Sequence, residues 1–477
     1  MANALKRKEH VYQKPTINAD SFDKRRFNEL LKMSKGLKEI KKQGEDIPQF
    51  DQLIGDMWSS FYKNKPSLLD QEGIEMDLYN NHSIMDRMLQ EDAFHDTHQF
   101  TILDDLHSAL STIGFSEKTM EWIKEKIEKD ESLKQSYENM QINTTLDNKH
   151  SKEYQQAMEQ FNKALSDSLK QDKNSDQLSQ ILTEATKEAK QTKVNMENFL
   201  GGMEAGKGQA EMKKIPPLRD QFTLAAHLKT NHKMKRIAEW TGRFKRIAQS
   251  KQKQKSKESI SKSGVTTGNE IDRILPSEML YLAIPQAKAD FLRRLAEGQT
   301  LQYNSEGKST LGKGSIILCL DQSGSMRKLD DQSKGFALAL MSIAKKQKRD
   351  FALINFSDKA YNKEYPKGKI STSQMVELCN NFLDGGTNFT QPLMLSEKII
   401  NKSRFKDADI IFITDGQDNI SQDFITSFNR HKEKDKFQVL SLLIGNQAKR
   451  RTVDMFSDSV FHANDFEDEE AQQIFNI

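Results

Sequence analysis

Four continuous apolar runs lie within the last 165 residues of an otherwise strongly polar 477-residue chain, and they constrain its fold more than any other feature. They are Ser315 to Leu320, Phe351 to Phe356, Asp409 to Thr414 and Gln438 to Ile444. Each is the length of a strand buried on both faces. Each is followed by helix-compatible sequence, the first by Ser333 to Lys348, and a short last strand is expected at Ser459 to His462. Strands alternating with helices imply right-handed crossovers and an α/β, doubly wound, mostly parallel sheet for residues 313–477.

The rest of the chain has a different texture. Segments such as Phe22 to Gln43, Thr119 to Asn139 and Ser151 to Lys170 carry apolar residues three and four apart, the amphipathic helix pattern. Trp122, Ile123, Ile127 and Leu133 fit one such face. Residues 1–200 therefore read as an all-α domain. Residues 201–217, with four glycines and two prolines, read as a linker. Helical stretches at about 218–250 and 270–297 form a neck reaching to residue 312, with a loop expected at Gln249 to Gly268.

Composition excludes several classes. Only 36% of residues are hydrophobic and no stretch approaches 18 consecutive apolar residues, so no spanning helix is expected. The polar start, Met1 to His10, lacks the apolar segment of a secretory signal. Two cysteines, Cys319 and Cys379, argue against a disulfide scaffold and for a reducing, cytoplasmic setting. The net charge of +3 hides a local excess. From Lys229 to Lys262, twelve basic residues face only Glu239 and Glu258, a balance of +10. A solvated helix face is the plain reading. Acidic membrane lipid comes next, which would place the chain at the inner face of a membrane, and nucleic acid is last.

In a doubly wound sheet, ligands bind beyond the carboxyl ends of the strands. The first apolar run ends in Asp321-Gln322-Ser323-Gly324-Ser325, and the third leads into Thr414-Asp415-Gly416. Between them lies the loop Asp384-Gly385-Gly386-Thr387-Asn388. Asp321, Ser323, Ser325, Thr387 and Asp415 are hard oxygen donors, which select Mg2+, Mn2+ or Ca2+ over zinc or copper. Gly324, Gly385 and Gly386 let the backbone pass close to such an ion. Neutral hydroxyls would leave the ion most of its charge, and so an affinity for an anionic oxygen from a partner. Helix capping by Asp321 and Ser323 would explain one loop but not three.

Three other motifs carry less. Gly307-Lys308-Ser309-Thr310 resembles the end of a phosphate-binding loop, but position 302 is Gln302, not the required glycine. His95 and His98, three apart, would share a helix face, but no second pair of ligands stands out, and a solvated or capping role is the plainer reading. The acidic Glu467 to Glu470 suits the N-terminus of a last helix.

The five residues together match the metal-ion-dependent adhesion site (DxSxS, then T, then D) of von Willebrand factor A domains. The resemblance implies a six-stranded, Rossmann-like sheet with one antiparallel edge strand, which Ala360 to Glu364 would supply. It also implies Mg2+ (or Mn2+) gripping a partner's carboxylate without catalysis. Asp272 to Glu278, Phe291 to Gln299 and Arg236 to Arg243 further resemble the neck of bacterial ViaA-type proteins. That resemblance covers 218–477; over 1–200 it is one of composition and position. It implies a non-enzymatic, chaperone-like adaptor working with a MoxR/RavA-type AAA+ ATPase, with clients held by the helical region. The alternative is a metal-dependent, phosphatase-like hydrolase. No histidine lies between His232 and His431, so its base would be Asp330, Asp331, Asp384 or Asp418.

Overall fold

A computed structural model describes residues 11–145, 152–171, 177–200, 217–258, 262–269, 271, 274–305, 314–416, 418–445 and 450–476. Most of the expected 201–217 linker and the Gly307 to Thr310 motif lie outside the described residues. Among those described, residues of 1–200, 217–235 and 371–376 form one compact unit, and those of 236–370 and 377–477 form another.

The first unit is helical. The expected helix Phe22 to Gln43 is two, Ser21–Met33 and Lys35–Gln43. Ser34, extended at φ −87° and ψ 120°, ends one helix and caps the next by accepting the Leu37 N–H. Asp130 divides Asp105–Lys129 from Glu131–Thr145 in the same way. Trp122, Ile123, Ile127 and Leu133 are buried as the spacing requires. Helix Phe50–Tyr62 runs through the core, where the Phe61 ring meets Phe94 at 5.3 Å and Phe115 at 4.8 Å. Against this helix the N-terminal segment is tied by the buried Asp56 carboxylate. It accepts hydrogen bonds from the Tyr12 hydroxyl (2.7 Å), the Thr16 hydroxyl (2.8 Å) and the Thr16 N–H (3.1 Å). Burial raises the Asp56 pKa to about 7 against these bonds.

The second unit holds two sheets. Strands β1 (Lys262–Gly268) and β2 (Thr300–Ser305) pair antiparallel. The stretch Gln249 to Gly268 is therefore not a loop: helix His232–Glu258 runs into it and β1 completes it. Lysine and glutamine are good helix formers without any apolar face, and the β-branched Val265, Thr266 and Thr267 suit a strand.

The larger sheet comprises β3 (Ile316–Asp321), β4 (Phe351–Phe356), β5 (Ala360–Tyr365), β6 (Asp409–Thr414), β7 (Val439–Ile444) and β8 (Ser459–Ala463). Their order is β5-β4-β3-β6-β7-β8, all parallel except the edge strand β5. The four apolar runs are the four central strands, as the sequence implies. One face packs Ile317, Cys319, Ile410 and Phe412 against Leu393, Ile399 and Phe428 of the helices Thr390–Ile400 and Gln422–Asp435.

Residues from Arg236 onward pack against helix Asp330–Gln347. A Cβ on Gly335 would stand 2.6 Å from the Trp240 Cβ, so only glycine permits this approach. Phe244 is fully buried, 5.4 Å from Phe336, while Phe336 lies 4.5 Å from Phe475. The exposed ion pairs Arg236–Asp331, Arg243–Glu467 and Lys251–Glu469 border this cluster. Such pairs are worth ~0–1 kcal/mol each, so the buried rings do most of the holding.

Candidate metal centre

The chain leaves β3 towards β4 on one side, and β6 lies on the other, so the switch point falls between β3 and β6. Asp321 ends β3 and Asp415 follows β6. The structure brings all three motif loops to this point. Asp321 Oδ1 accepts the Ser323 N–H at 2.8 Å, and Oδ2 accepts the Thr414 hydroxyl at 2.5 Å. The Ser323 and Ser325 hydroxyl oxygens are 3.1 Å apart, and Ser325 donates to Asp415 Oδ1 at 2.9 Å. Thr387 closes the group: its Oγ1 lies 3.3 Å from where a Cβ on Gly416 would sit. Asp321 and Ser323 are buried, Asp415 and Thr387 half-buried, and Ser325 exposed. The cluster thus has a closed floor and an open mouth.

Burial dominates the electrostatics. It raises the Asp321 pKa to about 6, with the Thr414 and Ser323 hydrogen bonds working the other way and Asp415 adding to the rise. Burial also raises that of Asp415. Two carboxylates held in costly anionic form beside three hydroxyls suit a hard divalent cation, whose charge would reverse that cost. Among the described residues no three His, Cys, Asp or Glu side chains gather into a metal-holding group; here three of the five donors are hydroxyls.

The Thr387 loop is held from two sides. Gly324 N–H donates to the Gly385 carbonyl at 3.0 Å, and Arg327 pairs with Asp384. From beyond β4, Asp358 Oδ2 accepts the Gly386 N–H at 3.0 Å. Gly385 has φ +92°, and a Cβ there would come within 2.5 Å of that same oxygen, so the turn needs glycine. The five-residue motif includes neither Asp358 nor Thr414. Both lie at strand ends, and attention to every such end, rather than to motif positions alone, reaches them.

The four carboxylates that could serve as general bases are otherwise engaged. Asp330 pairs with the buried Lys334 at 2.7 Å, Asp331 with Arg236 and Asp384 with Arg327. Asp418 accepts the N–H groups of Phe389 and Asn419, both at 2.7 Å. His98 Nε2–H donates to the Lys63 carbonyl (2.7 Å), and the ring stacks on Phe94. In the basic segment, Lys229 pairs with Glu117, and Arg236, Arg243 and Lys251 are paired as above. Among the described residues, no helix is long and apolar enough to cross a membrane.

Residues 316–417 match the family model of the von Willebrand factor type A domain. With the sheet order and strand-end loops, that match defines the C-terminal domain as a von Willebrand factor type A domain. Over 468 residues the chain is 28% identical to an uncharacterized protein of Methanocaldococcus jannaschii, covering 97% of this chain and 99% of the relative. A second uncharacterized protein of that organism is 31% identical over 255 residues, 53% of this chain and 64% of the relative. The regulatory protein ViaA of Proteus mirabilis is 29% identical over 170 residues, 32% of this chain and 35% of the relative. Over part of its length the chain is thus similar to ViaA, and its C-terminal domain carries the von Willebrand factor type A match.

Proposed function

We propose that this chain is a non-enzymatic adaptor whose A domain grips an acidic side chain of a partner at a cation held by Asp321, Ser323, Ser325, Thr387 and Asp415. Mg2+ is the expected ion, with Mn2+ a substitute. The observation that carries the reading is the convergence of three separate loops, rich in hydroxyls, at the switch point of the sheet. Bound there, the ion would supply a Lewis-acidic position open to a carboxylate oxygen. Ser323, Ser325 and Thr387 would coordinate without cancelling its charge. Asp321 would hold the β3 loop in place through the Ser323 N–H and Thr414.

The partner we infer is a MoxR/RavA-type AAA+ ATPase, which the chain would stimulate or direct by binding one nucleotide state more tightly than another. Likeness to a protein named as regulatory supports this role, and the helical unit would hold a client. A hydrolase is disfavoured because Asp330, Asp331, Asp384 and Asp418 are all committed to other partners.

The test is capture of the purified ATPase by the full chain in Mg2+ and in EDTA. Capture is expected in Mg2+ alone, and only with Asp321 intact; undiminished capture in EDTA or by Asp321→Ala contradicts the metal grip. Magnesium-dependent turnover of phosphoesters, lost in Asp415→Ala, would favour the hydrolase instead.

A further inference from the structure

We propose that Lys334 is a positioning residue for the cation site, fixing the Thr387 loop against the Asp321 loop; this role rests on the metal reading above. Lys334 is a lysine with no exposed surface, on the first turns of helix Asp330–Gln347, which follows directly from the Asp321-x-Ser323-x-Ser325 loop. Its ammonium donates to Asp330 Oδ2 at 2.7 Å, one turn back on the same helix. It also donates to the backbone carbonyls of Asn381 at 2.5 Å and Cys379 at 3.2 Å. The Phe382 ring lies 5.9 Å from the same nitrogen.

The two carbonyls belong to the end of helix Thr372–Asn380, where carbonyls lack helical partners and a cation is favoured. Three residues beyond Asn381 the chain enters Asp384-Gly385-Gly386-Thr387. Lys334 thus ties the base of the Thr387 loop to the helix that anchors the serine loop. Arg327 to Asp384 and Gly324 to Gly385 tie the same two segments nearer the mouth.

A solvated surface lysine would suffice for solubility, and an apolar residue would suffice to fill the space. Burying an ammonium is costly unless oxygen acceptors meet it, and here Asp330 and the two carbonyls do so. Partners that orient metal ligands from behind typically change affinity by 10–100-fold when lost.

The test uses the full chain with Mn2+ as the probe. Lys334→Met removes the clamp and takes the ammonium away from Asp330; the double variant Asp330→Asn with Lys334→Met removes that carboxylate's charge as well and keeps the test open should the single variant fail to fold. Both are expected to bind Mn2+ about 10–100-fold more weakly than wild type. In metal-free protein, hydrogen exchange is expected to accelerate over residues 384–388 and remain unchanged in β3 and β6. Unaltered Mn2+ affinity, or faster exchange spread evenly over the whole domain, would overturn the positioning role and leave the metal reading standing. A wild-type chain that binds no Mn2+ would overturn both.

Discussion

Each unit of this protein buries a carboxylate, and the two are used differently. Asp56 lies in the helical unit with the Tyr12 hydroxyl and the Thr16 hydroxyl and N–H as donors, all from one N-terminal segment. That network is closed, and its product is a fixed segment from Tyr12 to Thr16. Asp321 lies at the end of β3, bonded to Ser323 N–H and Thr414, with Ser323, Ser325, Thr387 and Asp415 leading from it towards solvent. Burial raises both pKa values, to about 7 and about 6. A raised pKa therefore does not separate a structural carboxylate from a binding one. The neighbouring open set of hydroxyls does.

The comparison breaks most easily through packing. Phe244→Ala should cost the second unit about 3–5 kcal/mol of unfolding free energy. Chemical denaturation followed through nearby Trp240 would show the loss; a cost below about 1 kcal/mol would mean that residues from 236 are not integral to that unit's core. Next in size, Asp56→Ala leaves the Tyr12 and Thr16 donors buried without their acceptor, at a cost of at least about 2 kcal/mol, read from the same denaturation curves.

Asp56 also carries a pH signature. Its folded pKa of about 7 exceeds the ordinary 3.8, so the native state binds more protons between those values. Its contribution to stability is full below about pH 4 and is lost as pH rises through about 7. Subtracting the stability profile of Asp56→Asn from that of wild type should isolate this fall; a flat difference would put Asp56 in a more solvated setting. At Mg2+ about a hundredfold above its dissociation constant, wild type should gain ~2.7 kcal/mol and Asp415→Ala nothing, by thermal unfolding. Arg243→Gln, which removes the exposed pair with Glu467, should change stability by less than about 1 kcal/mol.

Much of the second unit is legible in the amino-acid sequence. Runs such as Ile316–Asp321 and Val439–Ile444 are buried on both faces, so hydrophobicity alone marks them. The positions of Asp321 and Asp415 follow from strand ends, and that of Thr387 from the Gly-Gly-Thr loop ahead of a helix. Less legible is whatever depends on backbone pairing or on distant partners. The β1–β2 pair is held by backbone hydrogen bonds with few apolar side chains, so Gln249 to Gly268 reads as a loop. Nothing near Lys334 in sequence announces that its ammonium meets the carbonyls of Cys379 and Asn381, more than forty residues away. The local +10 of 229–262 likewise conceals that Arg243 and Lys251 meet Glu467 and Glu469.

The central claim is that five oxygen donors from three loops hold one cation. Calorimetric titration of Mn2+ into the metal-free full chain, alongside Asp321→Ala and Thr387→Ala, tests it most directly. One saturable ion per chain, lost in the first variant and weakened in the second, is the expected result. Equal binding by all three proteins, or no saturable binding by wild type, would contradict it.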